Sequence, residues 1–296
     1  MRKTIYILTA ILLISFQQVF SQQVAVAEND SLKVLSWNIY MLPVSIKKVG
    51  QANRVKYIAE QMNNSDYDVI VFQEAFDRDA RYKLGKLMRA KYPYQEGPAN
   101  AKPSWFRMNS GIWILSKHPM KYVDEIHYSQ HAGVDKVARK GVLLVEINKN
   151  GKLYQVAGTH LQAGASKKMD AVRVTQYNEI HDLLLKHETE NVPQLICGDF
   201  NTPKDDKIHY NLMMKTLKAN DGPLESNLQY SYDGGDNDLA AGGDSYRELL
   251  DYIFVKDNNT KFKFQRRKVV AFTARWHSSK KHLSDHYAIE MVIIPE

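Results

Sequence analysis

The 296-residue chain carries a single cysteine and a net charge of +7. The lone Cys197 excludes an internal disulfide, and its place inside an apolar run makes it a small buried hydrophobe rather than a nucleophile. The modest positive balance favours anionic partners such as nucleic acid, phosphorylated small molecules or a membrane surface, without choosing among them.

The chain opens with Arg2 and Lys3, an apolar run from Ile5 to Phe16, and then Val19-Phe20-Ser21 spaced as at a signal-peptidase site. That run is shorter than the about 20 apolar residues a bilayer span needs. Residues 1–21 therefore read as a removed secretory signal, with no cysteine after it to carry a lipid anchor. The expected location is secreted or periplasmic, and losing Arg2 and Lys3 lowers the net charge to +5. Residues 22–296 read as one domain, because no Pro-, Gly- or Ser-rich linker divides them. The glycine- and aspartate-rich stretch from Tyr232 to Asp244 reads as a surface loop within it.

Taken in order, Leu32 to Trp37 is a short apolar strand ending at Asn38. Gln51 to Met62 follows, with Val55, Ile58, Ala59 and Met62 at helical spacing, and Asp68 to Gln73 is a strand ending at Glu74. The arrangement returns later. Tyr154 to Thr159 is a strand ending at His160, a helix follows with Tyr177, Ile180 and Leu184 on one face, and Gln194 to Gly198 ends at Asp199. The first unit places its polar ends 36 residues apart and the second 39, which reads as a degenerate internal duplication whose strand ends share one cleft. Between the units, Ala80 to Met88 is helical, and Gly111 to Leu115 and Gly141 to Ile147 are strands of antiparallel type. Beyond them come a helix over Lys207 to Leu217, strands over Leu249 to Val255 and Ala288 to Ile294, and a basic strand around Phe262 and Phe264. The sum is a mixed, strand-rich α/β domain.

The chemistry-bearing residues collect at strand ends: Asn38, Glu74, His160, Asp199, Asn201, Asp251, Asp285 and His286. Carboxylates and amides without thiolates are hard ligands, suited to Mg²⁺ or Mn²⁺ and poorly matched to structural zinc. Glu74 is the strongest ligand candidate, since it is a carboxylate at the end of the strand Val-Ile-Val-Phe-Gln. Asp251 begins the strand Asp-Tyr-Ile-Phe-Val, where a buried carboxylate accepts from one nitrogen of His286 and leaves the other poised as a base. No serine-hydrolase elbow, His-Glu-x-x-His helix, Walker loop or dinucleotide glycine fingerprint occurs. Metal-assisted hydrolysis of a phosphoester remains.

Six ordered motifs carry a resemblance: Ser36-Trp37-Asn38-Ile39-Tyr40, Phe72-Gln73-Glu74, Gly158-Thr159-His160, Gly198-Asp199-Phe200-Asn201, Leu250-Asp251-Tyr252 and Ser284-Asp285-His286. Together they resemble the endonuclease/exonuclease/phosphatase superfamily of metal-dependent phosphoesterases. Within it, Asn38 to Pro43, His160-Leu161-Gln162-Ala163 and the segment Asp135 to Gly141 are similar to motifs of secreted and neutral sphingomyelinases. The resemblance implies a DNase I-like, four-layered α/β sandwich of two packed mixed sheets flanked by helices. It further implies Mg²⁺ at Glu74, with Mn²⁺ or Co²⁺ as substitutes, Asn38 beside it, and Asp285 among the metal-side carboxylates. By the same likeness Asn201 contacts the phosphate or a metal, and Asp135 and Lys140 pair beside the substrate. His160 and Asp199 stabilise the phosphorane, and His286, oriented by Asp251, is the base, with Asp199 the other candidate for that role.

Haemolytic relatives carry an exposed aromatic hairpin before the Ser-Asp-His motif. Here that place holds only Trp276 among basic residues, so a peripheral membrane contact through Trp276 is expected rather than deep insertion. Trp105-Phe106 is a second exposed-aromatic candidate. The implied partner is a membrane sphingolipid, with no obligatory protein partner and nucleic acid disfavoured. Two rivals stay open: a nuclease or other phosphodiesterase on the same scaffold, and a lipid-binding module without catalysis.

Overall fold

The computed structural model describes residues 31–100 and 108–296. The leader read over 1–21 and the Trp105-Phe106 pair lie outside the described residues. Among the described residues four helices, α1 (Gln51–Asn64), α2 (Arg78–Met88), α3 (Lys167–Lys186) and α4 (Lys207–Leu217), flank the strands. The strands are β1 (Leu32–Met41), β2 (Val69–Ala75), β3 (Tyr94–Glu96), β4 (Trp113–Ser116), β5 (Met120–His127), β6 (Gly141–Lys149) and β7 (Lys152–His160). They continue with β8 (Gln194–Asp199), β9 (Tyr232–Asp233), β10 (Arg247–Glu248), β11 (Asp251–Lys256), β12 (Phe262–Val270) and β13 (Ala288–Pro295). One sheet runs β12-β13-β1-β2-β4-β3 and the other β11-β8-β7-β6-β5, while β9 and β10 form a separate ribbon.

Side-chain alternation along the strands explains the layering. In β1 and β2, Val34, Val69 and Val71 point into the core between the sheets. Leu35, Trp37, Ile70 and Phe72 point the other way, into a second core closed by Val55 and Ile58 of α1 and Leu84 of α2. Tyr177, Ile180 and Leu184 of α3 and Met213 and Leu217 of α4 cover the opposite sheet. The result is the expected four-layered sandwich of two mixed sheets.

The internal echo is real at the level of pairing. β1 and β2 are parallel with α1 as the crossover, and β7 and β8 are parallel with α3 as theirs. Register then sets Asn38 opposite Gln73 and His160 opposite Asp199. Two glycines let these ends approach. A Cβ on Gly198 would lie 2.2 Å from the Thr159 carbonyl oxygen, and one on Gly158 would lie 2.8 Å from Val71 Cγ1 in the facing sheet.

At the opposite end of the sandwich, Asp68 ties the sheets together. It accepts from the Lys33 main chain at 2.9 Å, from Lys149 Nζ at 2.7 Å, and meets His118 Nε2 at 2.8 Å. Burial pushes this carboxyl up, but His118, Lys149 and the Lys33 amide outweigh it and hold it below the usual carboxylate range. A carboxylate depressed in the folded state stabilises the fold above its unfolded pKa, and that contribution disappears as pH falls through the folded value. Asp68→Asn is therefore expected to be less stable at pH 7 and to lose less further stability on acidification to about pH 3 than the parent. Urea midpoints at both pH values check this.

Candidate active site

The parallel strand pairs deliver four polar residues to the same end of the two facing sheets. Asn38 lies near the end of β1 and Glu74 near the end of β2, while His160 ends β7 and Asp199 ends β8, the site that open parallel strands offer to ligands. Across the gap between the sheets, Asn38 Nδ2 donates to Asp199 Oδ2 at 3.2 Å. The backbone is held in unusual turns here, because Tyr40, Glu74 and Asn201 have φ values of 48°, 55° and 49° without being glycine. Such left-handed residues cost on the order of 1–3 kcal/mol each and cluster where function needs a side chain aimed against the chain's preference.

Two further segments complete the cleft. β11 pairs with β8 so that Asp251 lies directly opposite Asp199. The turn before β13 brings in His286, whose Nδ1 lies 2.7 Å from Asp251 Oδ2 and whose Nε2 is 3.8 Å from Asp199 Oδ2. Burial pulls the His286 imidazole down, but Asp251, Asp199 and Asp285 outweigh it and hold the ring well above its ordinary value. Burial, reinforced by Asp251, raises Asp199 to about 6, and burial with Glu74 nearby raises Asp285 to about 7.

On the other side stands a lysine network. Lys140 Nζ donates to Asp135 Oδ2 at 2.9 Å and to the Leu161 carbonyl at 2.8 Å, and lies 3.0 Å from His160 Nε2. An ammonium has no acceptor, so His160 Nε2 takes that bond and the ring's own proton sits on Nδ1, which is buried without a partner. Burial, with Lys140 and His286 nearby, lowers the His160 imidazole well below its ordinary value, consistent with a neutral ring. Asn201 is fixed by its amide, which donates to Asp199 Oδ1 at 2.9 Å, and by Nδ2, which donates to the Leu161 carbonyl at 3.2 Å.

The donor set fits a hard divalent cation. Glu74 is the most exposed residue of β2, yet its Oε2 is buried with no hydrogen-bond partner. Burial raises its carboxyl against the pull of His286 and Lys140. A carboxylate with an unmet oxygen beside Asn38, Asp199 and Asp285 is the arrangement that oxygen-seeking cations neutralise. Asp199, Asp251 and His286 also offer ligand atoms within 4.8 Å of one another. His286 Nδ1 and Asp251 Oδ2 are bonded to each other, while Asp251 Oδ1, like Glu74 Oε2, is buried without a hydrogen-bond partner.

Ten residues named from the sequence thus meet in one cleft: Asn38, Glu74, Asp135, Lys140, His160, Asp199, Asn201, Asp251, Asp285 and His286. Trp276 stands apart. Its ring packs on Gly50 at the start of α1, its Nε1 donates to the His282 carbonyl at 2.8 Å, and it lines a groove with Val55, Tyr57 and Leu87. It is half-buried against its own domain rather than projecting.

Sequence reading missed the supports. Ser284 Oγ donates to the Asn38 carbonyl at 2.5 Å, and Ser231 Oγ accepts from the amides of Leu250 and Asp251. Arg54, fully buried, donates to the carbonyls of Ile39 at 2.8 Å, Leu283 at 2.6 Å, Val49 at 3.1 Å, and Tyr40. The available signal was a guanidinium next to Val55 on the apolar face of α1. Arg54→Met is expected to strand these carbonyls and cost about 3 kcal/mol or more, which a denaturant titration measures.

Residues 35–286 match the Endonuclease/Exonuclease/phosphatase family, and the chain belongs to it. Among its relatives, a sphingomyelinase C of Leptospira interrogans is 31% identical over 294 residues, covering 90% of this chain and 52% of that one. The chain thus spans about half the length of this relative. A phospholipase C of Staphylococcus aureus is 29% identical over 296 residues, covering 89% and 87% of the two chains. The crystal structure of a two-residue mutant of Staphylococcus aureus beta toxin with bound magnesium ions superposes with a TM-score of 0.78 at 28% identity, over 88% of this chain and 99% of that one.

Proposed function

We propose that the chain is a secreted, Mg²⁺-dependent sphingomyelinase of phospholipase C type, converting sphingomyelin and water to ceramide and phosphocholine. The observation that carries this reading is the His286–Asp251 dyad at 2.7 Å, set against Asp199 and facing the unmet oxygen of Glu74. The similarity to sphingomyelinases and to a magnesium-bound toxin supports the choice of lipid and metal.

In this reading Glu74 holds the cation with Asn38 beside it. When bound, Mg²⁺ supplies charge neutralisation at the phosphate oxygens and lowers the pKa of water, and its field opposes the carboxylates that raise His286. Asp251 takes the His286 Nδ1 proton as its hydrogen bond, which leaves Nε2 to accept a proton from the attacking water. Lys140 fixes the His160 ring beside Asp199, where these two stabilise the phosphorane, and the Asn201 Nδ2 hydrogen not given to Leu161 donates to its oxygens, where charge builds up. Asp135 anchors Lys140 by accepting from it and from the Ala163 amide at 2.8 Å. Trp276, partly exposed in the groove beside α1, supplies a peripheral lipid contact.

The test is hydrolysis by the purified protein with Mg²⁺ of a panel of sphingomyelin, glycerophospholipids and plasmid DNA. Sphingomyelin turnover that stops on chelation is the expected result. Faster nicking of DNA would make the chain a nuclease, and no metal-dependent turnover of any substrate would reduce it to a binding module.

A further inference from the structure

Outside the cleft, two imidazoles meet where β5 ends. His127 is the last residue of β5 and His131 follows in the loop after it, with their Nε2 atoms 3.2 Å apart. Their ring centres are 4.8 Å apart and the planes are tilted by 35°. A straight N–H···N hydrogen bond of this length would hold the ring centres about 5.5 Å apart, since each centre lies about 1.15 Å behind its nitrogen. The shorter distance means that the two nitrogens meet in a bent N–H···N hydrogen bond, with the ring axes turned toward a point beside the line joining them, where a cation that displaces the shared proton would sit. Two imidazole nitrogens about 2.0–2.1 Å from a tetrahedral cation stand about 3.3 Å apart. The observed separation matches that span.

The loop that carries the second imidazole is held from several sides. The Ser129 amide donates to Glu179 Oε1 of α3 at 2.9 Å, and Gln176 Nε2 donates to the Gln130 carbonyl at 3.2 Å. The Ala132 amide donates to Gln162 Oε1 at 2.7 Å, and Gln162 Nε2 returns a bond to the Ala132 carbonyl at 3.1 Å. The two rings are therefore fixed in place before any ligand arrives, which lowers the entropic cost of binding. Burial, and then the neighbouring His127 ring, keep the His131 imidazole below its ordinary value, so the ring is neutral near neutrality. His127 is exposed to solvent. Among the described residues the group of three or more such ligands is Asp199, Asp251 and His286, so the proposed site at His127 and His131 has two imidazole ligands.

We propose that His127 and His131 form a surface site for a transition cation of the Zn²⁺, Ni²⁺ or Cu²⁺ class, separate from the oxygen-lined cleft. Imidazole nitrogens select these cations, whereas carboxylate and amide oxygens select Mg²⁺. The protein therefore sorts two kinds of metal by ligand chemistry, nitrogen at the end of β5 and oxygen between the sheets.

The test is calorimetric titration of Ni²⁺, and separately Cu²⁺ with electron paramagnetic resonance, into the full protein in excess Mg²⁺. One equivalent should bind, with two nitrogens coupled to Cu²⁺. His127→Ala and His131→Ala should each weaken binding about tenfold or more, and the Cu²⁺ spectrum of His127→Ala should show one nitrogen. His127 is exposed at a strand end, and circular dichroism and the melting temperature check that each variant is folded. Glu74→Gln should bind Ni²⁺ as the parent does. Unchanged affinity in His127→Ala would overturn the proposal, and so would loss of Ni²⁺ binding in Glu74→Gln, which would place the ion in the cleft.

Discussion

Glu74→Gln is expected to lower sphingomyelin turnover by about 10²–10³-fold or more, the scale of a lost electrostatic contact at a reacting centre, while leaving the protein folded. The side chains are nearly isosteric and both tolerate the left-handed backbone at this position equally, with φ at 55°. What changes is charge. A buried carboxylate whose Oε2 has no partner, in a cleft shared with Asp199 and Asp285, destabilises the metal-free fold. The substitution removes that charge, so the metal-free variant should melt no lower than the parent. Mg²⁺ should raise the melting temperature of the parent, by the equivalent of about 2.7 kcal/mol at a hundredfold excess over Kd, and should leave Glu74→Gln where it was. Activity within tenfold of the parent, or an undiminished Mg²⁺ shift, would remove Glu74 from the metal side.

The second large effect concerns the dyad. His286→Ala should reduce kcat by about 10³-fold or more, within the range for loss of a general base. Asp251→Asn should cost less, because its amide still touches the ring but no longer favours the tautomer that leaves Nε2 free. Asp251 acts through His286, so the two losses cannot be additive. The double variant His286→Ala/Asp251→Asn should turn over no more slowly than His286→Ala alone. A further drop in the double variant would show Asp251 working by another route, and Asp199 would become the base to test.

How far the sequence reveals this site depends on how local the signal is. The helix over Lys207–Leu217 was legible to its ends, since its signal is local, and the structure shows Asp206 capping it from the preceding position. The strand reading stopped at Gln73 because a carboxylate normally closes an apolar run, yet β2 continues through Glu74 to Ala75. β5 went unread: it is an edge strand with Asp124 and Glu125 in its centre and an irregularity between Tyr122 and Asp124, so its pattern never alternates cleanly. β12 reaches Val270, well past the reading around Phe262, because Arg267 is buried and paired with Asp221 at 2.7 Å. The stretch after Tyr232, read as a loop, contains the short strand β9, which pairs with β10 at Arg247 and Glu248. Asn38, Glu74, His160 and Asp199 were legible because each stands at or near the end of an apolar strand. Their supports, Arg54, Ser231 and Ser284, were not, since a buried hydrogen bond to a distant carbonyl leaves no periodic trace.

The placement of β13 has a consequence in time. This strand sits between β12 and β1 and pairs with β1 from Leu32 opposite Ile293 to Ser36 opposite Ile289. Ser284, Asp285 and His286 come just before it, so β1, the first of the described strands, must wait for β13, the last of them, before the cleft closes. Pairing across such a sequence separation is slow. Until it forms, Asn38, Glu74, His160 and Asp199 are already synthesised yet lack the imidazole opposite them. A cleft assembled in this order stays incomplete until the segment that carries His286 has been made.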